Sequence, residues 1–326
     1  MDIAALSYGA EIGRLLTSTG GRVIAVLSNA IYLQSCEGYV VAVVGEDAVD
    51  GPLSLRIGSL PSLLDAVHNR PNPTFAIERE SVHIAGIARI HLDQAHKWSP
   101  DLPGSLGDTT GRHAAVRKLI EVVAGHVHDY SLARVIATCQ PSKTTANENY
   151  NVHFFQLLRD ARYSTTHTSE KKSPANLAIE HLLTGMLAFE TAARSREKVE
   201  AGDALMRMIG LGPGLTPSGD DVVSGILAAL VWQARLGAIE RAWAEQLVAQ
   251  VRSASASTNY ISARLLWYAG EGVLYEPAVQ LGHALLAGDS GRIVEPAVQL
   301  LAIGNTSGSD LAIGMLVGCL ALSVIA

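Results

Sequence analysis

Gly210-Leu211-Gly212-Pro213-Gly214-Leu215-Thr216-Pro217-Ser218-Gly219-Asp220-Asp221-Val222-Val223-Ser224-Gly225 runs directly into Ile226-Leu227-Ala228-Ala229-Leu230, a glycine-rich turn joined to an apolar helix. Gly210, Gly212 and Gly214 let the backbone take positive φ and approach a neighbour closely, while the helix that follows turns its unpaired N–H groups back toward the turn. What precedes the glycines decides the fold class. Ala204-Leu205-Met206-Arg207-Met208-Ile209 reads as a helix end and not as a strand, which argues against a Rossmann turn, and no Lys-Ser or Lys-Thr follows the glycines, which excludes a P-loop.

Outward from this turn the pattern stays helical. Apolar residues at i, i+3 and i+4 spacing predict helices over 112–128, 149–165, 175–196, 201–209, 219–236, 238–256, 261–269, 276–287, 290–302 and 308–325. Small residues line the last five, which implies tight helix packing, and the Thr-rich, charged stretch 164–172 reads as a mobile loop. Further upstream the period changes. Residues 23–27, 30–34, 39–44, 53–57, 75–77, 82–84 and 88–92 are short, β-branched or alternating, and punctuated by Gly, Asn, Asp and Pro, the pattern of closely spaced strands in a small barrel or sandwich. One helix, 60–69, interrupts them and ends at Asn69-Arg70-Pro71-Asn72-Pro73. The turn-rich segment 97–110 separates the two regimes. The expectation is an α+β protein: a β-rich N-terminal domain, 1–100, then a larger, mostly α-helical domain, 101–326, carrying the glycine loop.

The loop has a partial second copy. Ser218-Gly219-Asp220-Asp221 with Gly225 aligns with Ser307-Gly308-Ser309-Asp310 with Gly314, each set opening an apolar helix. The plainest reading is a pair of capping boxes, with Ser218 or Ser307 at the N-cap and Asp221 or Asp310 reaching back to the cap N–H. Capping does not account for the glycine run, Thr216, Asp220, or Asn305-Thr306 ahead of the second helix. Gly225 and Gly314, one turn in, each cost about 1 kcal/mol relative to Ala, which points to close backbone packing. Two such helix starts converging on one pocket would attract an anion, but Asp220 and Asp221 would repel it. Either Mg²⁺ bridges those carboxylates to an anionic substrate, or the acids face a cationic or donor group while Thr216, Ser218 and backbone N–H groups hold the anion.

Composition narrows the classes. The 326 residues, 48% hydrophobic and 17% charged, suffice for a large core. A net charge of −6 with acids and bases interspersed offers no basic stripe for nucleic acid. Cys36, Cys139 and Cys319 form no Cys-x-x-Cys pair, so a reducing cytoplasmic location is expected, with neither disulfides nor structural zinc. The start lacks a signal-peptide pattern, and the apolar stretch 311–326 falls short of the ~20 residues that span a bilayer, so it reads as a buried helix and no membrane partner is expected. None of the histidines sits in a His-Glu-x-x-His frame, and His126 and His128 fall on different helix faces.

The block Gly210-Leu211-Gly212-Pro213-Gly214-Leu215-Thr216-Pro217-Ser218-Gly219-Asp220-Asp221, followed by a small-residue helix, resembles the signature of the AllH-like proteins, sometimes labelled carboxylase subunits. Weaker blocks agree: residues 28–33, 51–55, Trp98-Ser99-Pro100 and 257–262. The resemblance implies a subunit that acts with FdrA-type and AllG-type partners as an oxamate carbamoyltransferase of allantoin catabolism, phosphorolysing oxalurate to oxamate and carbamoyl phosphate. On the residues themselves, Asp220, Asp221 and Thr216 are the catalytic candidates, with Asp220 and Asp221 also the candidates for Mg²⁺. Gly212, Gly214, Ser218, Gly219, Asn305, Thr306, Ser307 and Asp310 are candidates for binding a small anionic substrate. Asn259, Ser262 and Arg264 join them, because hydroxyls and an amide ahead of a helix can line a polar site and a guanidinium grips carboxylate or phosphate through two parallel hydrogen bonds; the plain alternative is an ordinary helix cap. The rival to an enzyme subunit is a non-catalytic anion-binding or structural subunit, and a third reading makes the glycine motif a packing device alone. Homo-oligomerisation is left open.

Overall fold

The computed structural model describes residues 1–126, 132–138, 150–166 and 173–322; His128, Cys139, residues 167–172 of the expected loop and residues 323–325 of the expected C-terminal helix lie outside them. The chain divides into two compact units, Met1–Asp101 and Leu102–Ala326.

The first unit is a closed barrel. Its strands are β1 (Asp2–Tyr8), β2 (Gly20–Val26), β3 (Ala30–Ser35), β4 (Val40–Gly45), β5 (Ser54–Ile57), β6 (Thr74–Ile77), β7 (Ser81–Ile84), β8 (Ala88–His91) and β9 (His96–Lys97), with helices α1 (Ala10–Leu15) and α2 (Leu60–His68) between them. Hydrogen bonding runs β5-β4-β3-β2-β6-β7-β8-β1, and β1 pairs back onto β5 through Ala5 opposite Ile57, so eight strands close and β9 extends the far end of β1. Closure removes the sheet edges that would otherwise template aggregation. Most ladders are antiparallel; β4–β5, β1–β8 and β1–β9 are parallel. Alternation fills the interior: Ile31 and Leu33 from β3, Val41 and Val43 from β4, and Leu55 and Ile57 from β5 are wholly buried. Of the two architectures expected here, the barrel is the one formed. β1 and α1 escaped the strand reading because the buried side of β1 is Ile3, Ala5 and Ser7, while Leu6 points outward at 44% exposure. The alternation is real, but its inward positions are small or polar.

The second unit is helical: α3 (Thr109–Gly125), α4 (Leu132–Thr138), α5 (Tyr150–Thr166), α6 (Pro174–Arg194), α7 (Lys198–Met206), α8 (Ser218–Arg235), α9 (Arg241–Ala254), α10 (Tyr260–Ala269), α11 (Glu276–Ala287), α12 (Val294–Leu301) and α13 (Ser307–Ala321). The sequence periodicity locates most of these to within a few residues; α4 went unread, and the stretch expected as one helix from 290 is a 3₁₀ turn, Ser290–Arg292, followed by α12. At the centre lie α8 and α13. Gly219–Leu230 of α8 and Gly308–Ala321 of α13 are buried throughout, which accounts for helices apolar all the way round. No helix among the described residues is long and apolar enough to cross a membrane.

Glycine lets these two helices touch. A Cβ on Gly225 would stand 2.3 Å from the Leu311 carbonyl oxygen, and one on Gly314 would stand 2.1 Å from that of Val222. The contacts are reciprocal, since Val222 and Leu311 each follow the last acid of their helix starts. Further along, Gln233 Nε2 donates to the Gly318 carbonyl oxygen at 2.9 Å and latches the pair together. The glycines, each unfavourable inside an isolated helix, are offset by main-chain contact that no larger residue permits.

Candidate functional site

The turn between α7 and α8 is built as its glycines suggested. Gly210, Gly212 and Gly214 take φ of +78°, +114° and +99°, conformations that favour glycine. The turn folds back on the start of α8, where Gly219 N–H donates to the Leu211 carbonyl oxygen at 2.8 Å. A Cβ on Gly219 would fall 1.8 Å from the Met208 carbonyl oxygen. The second copy repeats this: a Cβ on Gly308 would fall 1.8 Å from the Leu300 carbonyl oxygen. Gly219 and Gly308 are thus fixed by backbone approach from the preceding turn.

The expected capping boxes do not form. The N-caps are Pro217 for α8 and Thr306 for α13, neither with a side-chain cap hydrogen bond. Ser218 and Ser307 instead lie inside their helices, and their hydroxyls serve the other start: Ser307 eases the carboxylate of Asp221, and Ser218 that of Asp310. Thr216 Oγ1 and Ser307 Oγ lie 2.8 Å apart, linking the two turns directly. The two starts, far apart in sequence, therefore share one place.

Asp220 and Asp221 part company there. Asp220, 2% exposed, accepts from Gly210 N at 2.8 Å through Oδ1 and from Thr258 Oγ1 at 2.5 Å through Oδ2. Burial raises its pKa, against the pull of the Thr258, Gly210 and Ser262 donors. Asp221 faces α13 instead. Burial and then the neighbouring Asp310 carboxyl push its pKa well above the usual carboxylate range. Asp310 is 0% exposed, and burial lifts its pKa to about 7 in spite of the Ser218 and Thr306 hydroxyls. Asp221 Oδ2 and both Asp310 oxygens have no partner in hydrogen-bond geometry, although the Ser218, Thr306 and Ser307 hydroxyls stand near enough to favour the ionised acids. Both Asp220 oxygens already accept one hydrogen bond each from the chain's own donors, Gly210 N and Thr258 Oγ1. Among the described residues no group of three or more His, Cys, Asp or Glu is gathered to hold a metal ion.

The third segment arrives through α10. Asn259 is the N-cap of that helix, its Oδ1 accepting from Ile261 N at 3.0 Å and Ser262 N at 3.1 Å, so the plain cap reading holds. The same side chain does more: Nδ2 donates to the Leu215 carbonyl oxygen at 2.9 Å, and Ser262 Oγ donates to that oxygen at 3.4 Å. Asn259 and Ser262 therefore hold the glycine turn in place. Arg264 lies over the rings of Trp267 and Tyr268, with Cζ 5.1 Å and 5.7 Å from their centroids. Thr258 and the Leu215 carbonyl were missed from sequence. A threonine ahead of a helix gives no hint of which distant carboxylate it will meet, and a main-chain carbonyl carries no sequence signature.

The assembled surface has two levels. Thr216, Ser218, Thr306 and Ser307 are half-buried, and Gly214 and Asn305 are exposed; Asp220, Asp221 and Asp310 form the floor beneath. Two helix N-termini open at this place, each carrying the equivalent of about half a positive charge. The Thr216 and Ser307 hydroxyls, 2.8 Å apart, lie at these helix ends and can donate or accept. A family model described as oxamate carbamoyltransferase subunit AllH matches residues 208–319. Over those residues the chain is AllH-like. The matched stretch begins at Met208, beneath the glycine turn, and ends at Cys319 in α13, so it takes in the two turns and the start of α10. No solved structure matches the chain.

Proposed function

We propose that this AllH-like chain works as the subunit of an oxamate carbamoyltransferase that holds a small anionic substrate over the paired helix starts. The observation that carries the reading is the 2.8 Å link between Thr216 and Ser307, which joins the two turns at the half-buried level above the acids. In phosphorolysis of oxalurate, a phosphate oxygen forms a bond to the carbamoyl carbon, the C–N bond to oxamate breaks, and the leaving nitrogen takes up a proton. Negative charge grows on the carbamoyl oxygen as the new bond forms. Hydroxyls of Thr216 and Thr306 and the amides of the turn are donors suited to that charge, and they need no covalent nucleophile. Asp220, Asn259 and Ser262 act as positioning residues, since each contacts the turn and keeps its donors aimed.

Partner subunits of the FdrA and AllG types complete the enzyme in this reading. Reconstitution tests it: with partners added, oxalurate and phosphate should yield carbamoyl phosphate, and Thr216→Val should lower kcat/KM by about 100-fold, the scale of losing one transition-state donor. The chain alone should be inert. Full turnover by Thr216→Val, or phosphorolysis by the isolated chain, contradicts the proposal. A structural subunit is the second reading, favoured by the close Gly225 and Gly314 crossings, and it predicts that the variant leaves assembly and turnover unchanged.

A further inference from the structure

Asp221 and Asp310 sit at matching positions in the first turns of two helices that pack against each other along their length, 6% and 0% exposed. Each is backed by the serine of the other start, Ser307 for Asp221 and Ser218 for Asp310. An orphaned buried carboxylate oxygen is costly, and here there are three: Asp221 Oδ2, Asp310 Oδ1 and Asp310 Oδ2. The surroundings do not supply what they lack. Ser309, also buried, turns its hydroxyl to the Thr306 carbonyl oxygen at 2.7 Å, and Asp220 is directed to Gly210 and Thr258. Ionised together, the two carboxylates bring two negative charges, whereas two helix N-termini offset only about one, so a cation at the pair would take the place of the protons that burial favours.

We propose that Asp221 and Asp310 bind one divalent cation of the oxygen-preferring class, Mg²⁺, Mn²⁺ or Ca²⁺, between the two helix starts. The donor set consists of carboxylates with serine hydroxyls on either side and no nitrogen or sulfur, the combination that hard cations favour. The site differs from an Asp220–Asp221 pair, since Asp220 already accepts from Gly210 and Thr258 whereas three oxygens of Asp221 and Asp310 accept from no donor. The cation would bridge α8 to α13 beneath the anion-holding hydroxyls and draw an anionic substrate toward them. This assignment concerns binding and stands whether or not the chain takes part in carbamoyl transfer.

The test uses the full-length chain stripped with EDTA and returned to chelator-free buffer at pH 8. Millimolar Mn²⁺, Mg²⁺ or Ca²⁺ should raise the melting temperature by at least about 3 °C, as expected for a ligand well above its Kd. Mn²⁺ should bind with one equivalent, read from loss of the sharp paramagnetic resonance signal of the free aqueous ion. The shift should vanish near pH 5, where protons take the carboxylates. Asp310→Asn, isosteric and uncharged, should abolish both responses while matching or exceeding the metal-free melting temperature of the parent. If that variant does not fold, Asp221→Asn serves in its place. The proposal is overturned by no shift with any of the three ions, by a shift with Na⁺ or K⁺ alone, or by an undiminished shift in the folded Asp→Asn variant.

Discussion

Gly214 and Gly225 are glycines for opposite reasons, and substitution separates them. A Cβ on Gly214 would meet nothing within 4 Å, so its only requirement is a φ of +99°; alanine there should cost about 1–3 kcal/mol in backbone strain. At Gly225, φ is ordinary but a Cβ would lie 2.3 Å from the Leu311 carbonyl oxygen, so alanine must push α8 and α13 apart. Denaturant unfolding should show Gly225→Ala and Gly314→Ala losing more stability than Gly214→Ala, each by about 3 kcal/mol or more. Equal losses at the three positions would mean that the helices do not cross as described. Thr258→Val is informative in another way. It removes a donor to a buried carboxylate and should cost about 1–3 kcal/mol, with faster proteolysis of the 210–217 turn that Asp220 tethers.

Pairing of the two helix starts makes the protein sensitive to pH. The Asp310 carboxyl has a folded pKa of about 7 against an ordinary 3.8, so between those values the folded chain holds the proton more tightly than the unfolded one. The sign follows: in cation-free buffer stability falls as pH rises from about 4 to about 7, by up to about 1.4 kcal/mol per pH unit for this one group. Asp221 and Asp220, shifted in the same direction, act in the same sense. Unfolding curves across that range check the slope, and Asp310→Asn should flatten it; a slope of the opposite sign would show that the carboxyls are not buried. The sequence made much of this element legible. Glycine alternation located the turn, and the repeat of Ser, Gly and Asp marked α8 and α13 as related. Their partners were harder to read, because a serine followed three residues later by an acid looks the same whether it caps its own helix or faces the acid of another. The rings against which Arg264 stacks, Trp267 and Tyr268, are its near neighbours in the helix, a contact that the spacing alone did not single out.

Across the whole molecule, the break in periodicity near residue 100 separated strands from helices, and that contrast is the α+β architecture. Barrel closure was not legible, since it depends on β1, whose inward face is too small and polar to stand out. The family match covers residues 208–319 and so speaks for the helical unit, where both turns and α10 lie. The account rests on those turns serving one guest. Hydrogen–deuterium exchange of the chain with the proposed partner subunits, with and without oxamate and phosphate together, tests this most directly. Amides of 210–219 and 303–308 should both become protected when ligand is added, and Ser307→Ala should weaken protection in both turns at once. Ligand binding that leaves both turns unprotected, or that protects one and not the other, would contradict the account.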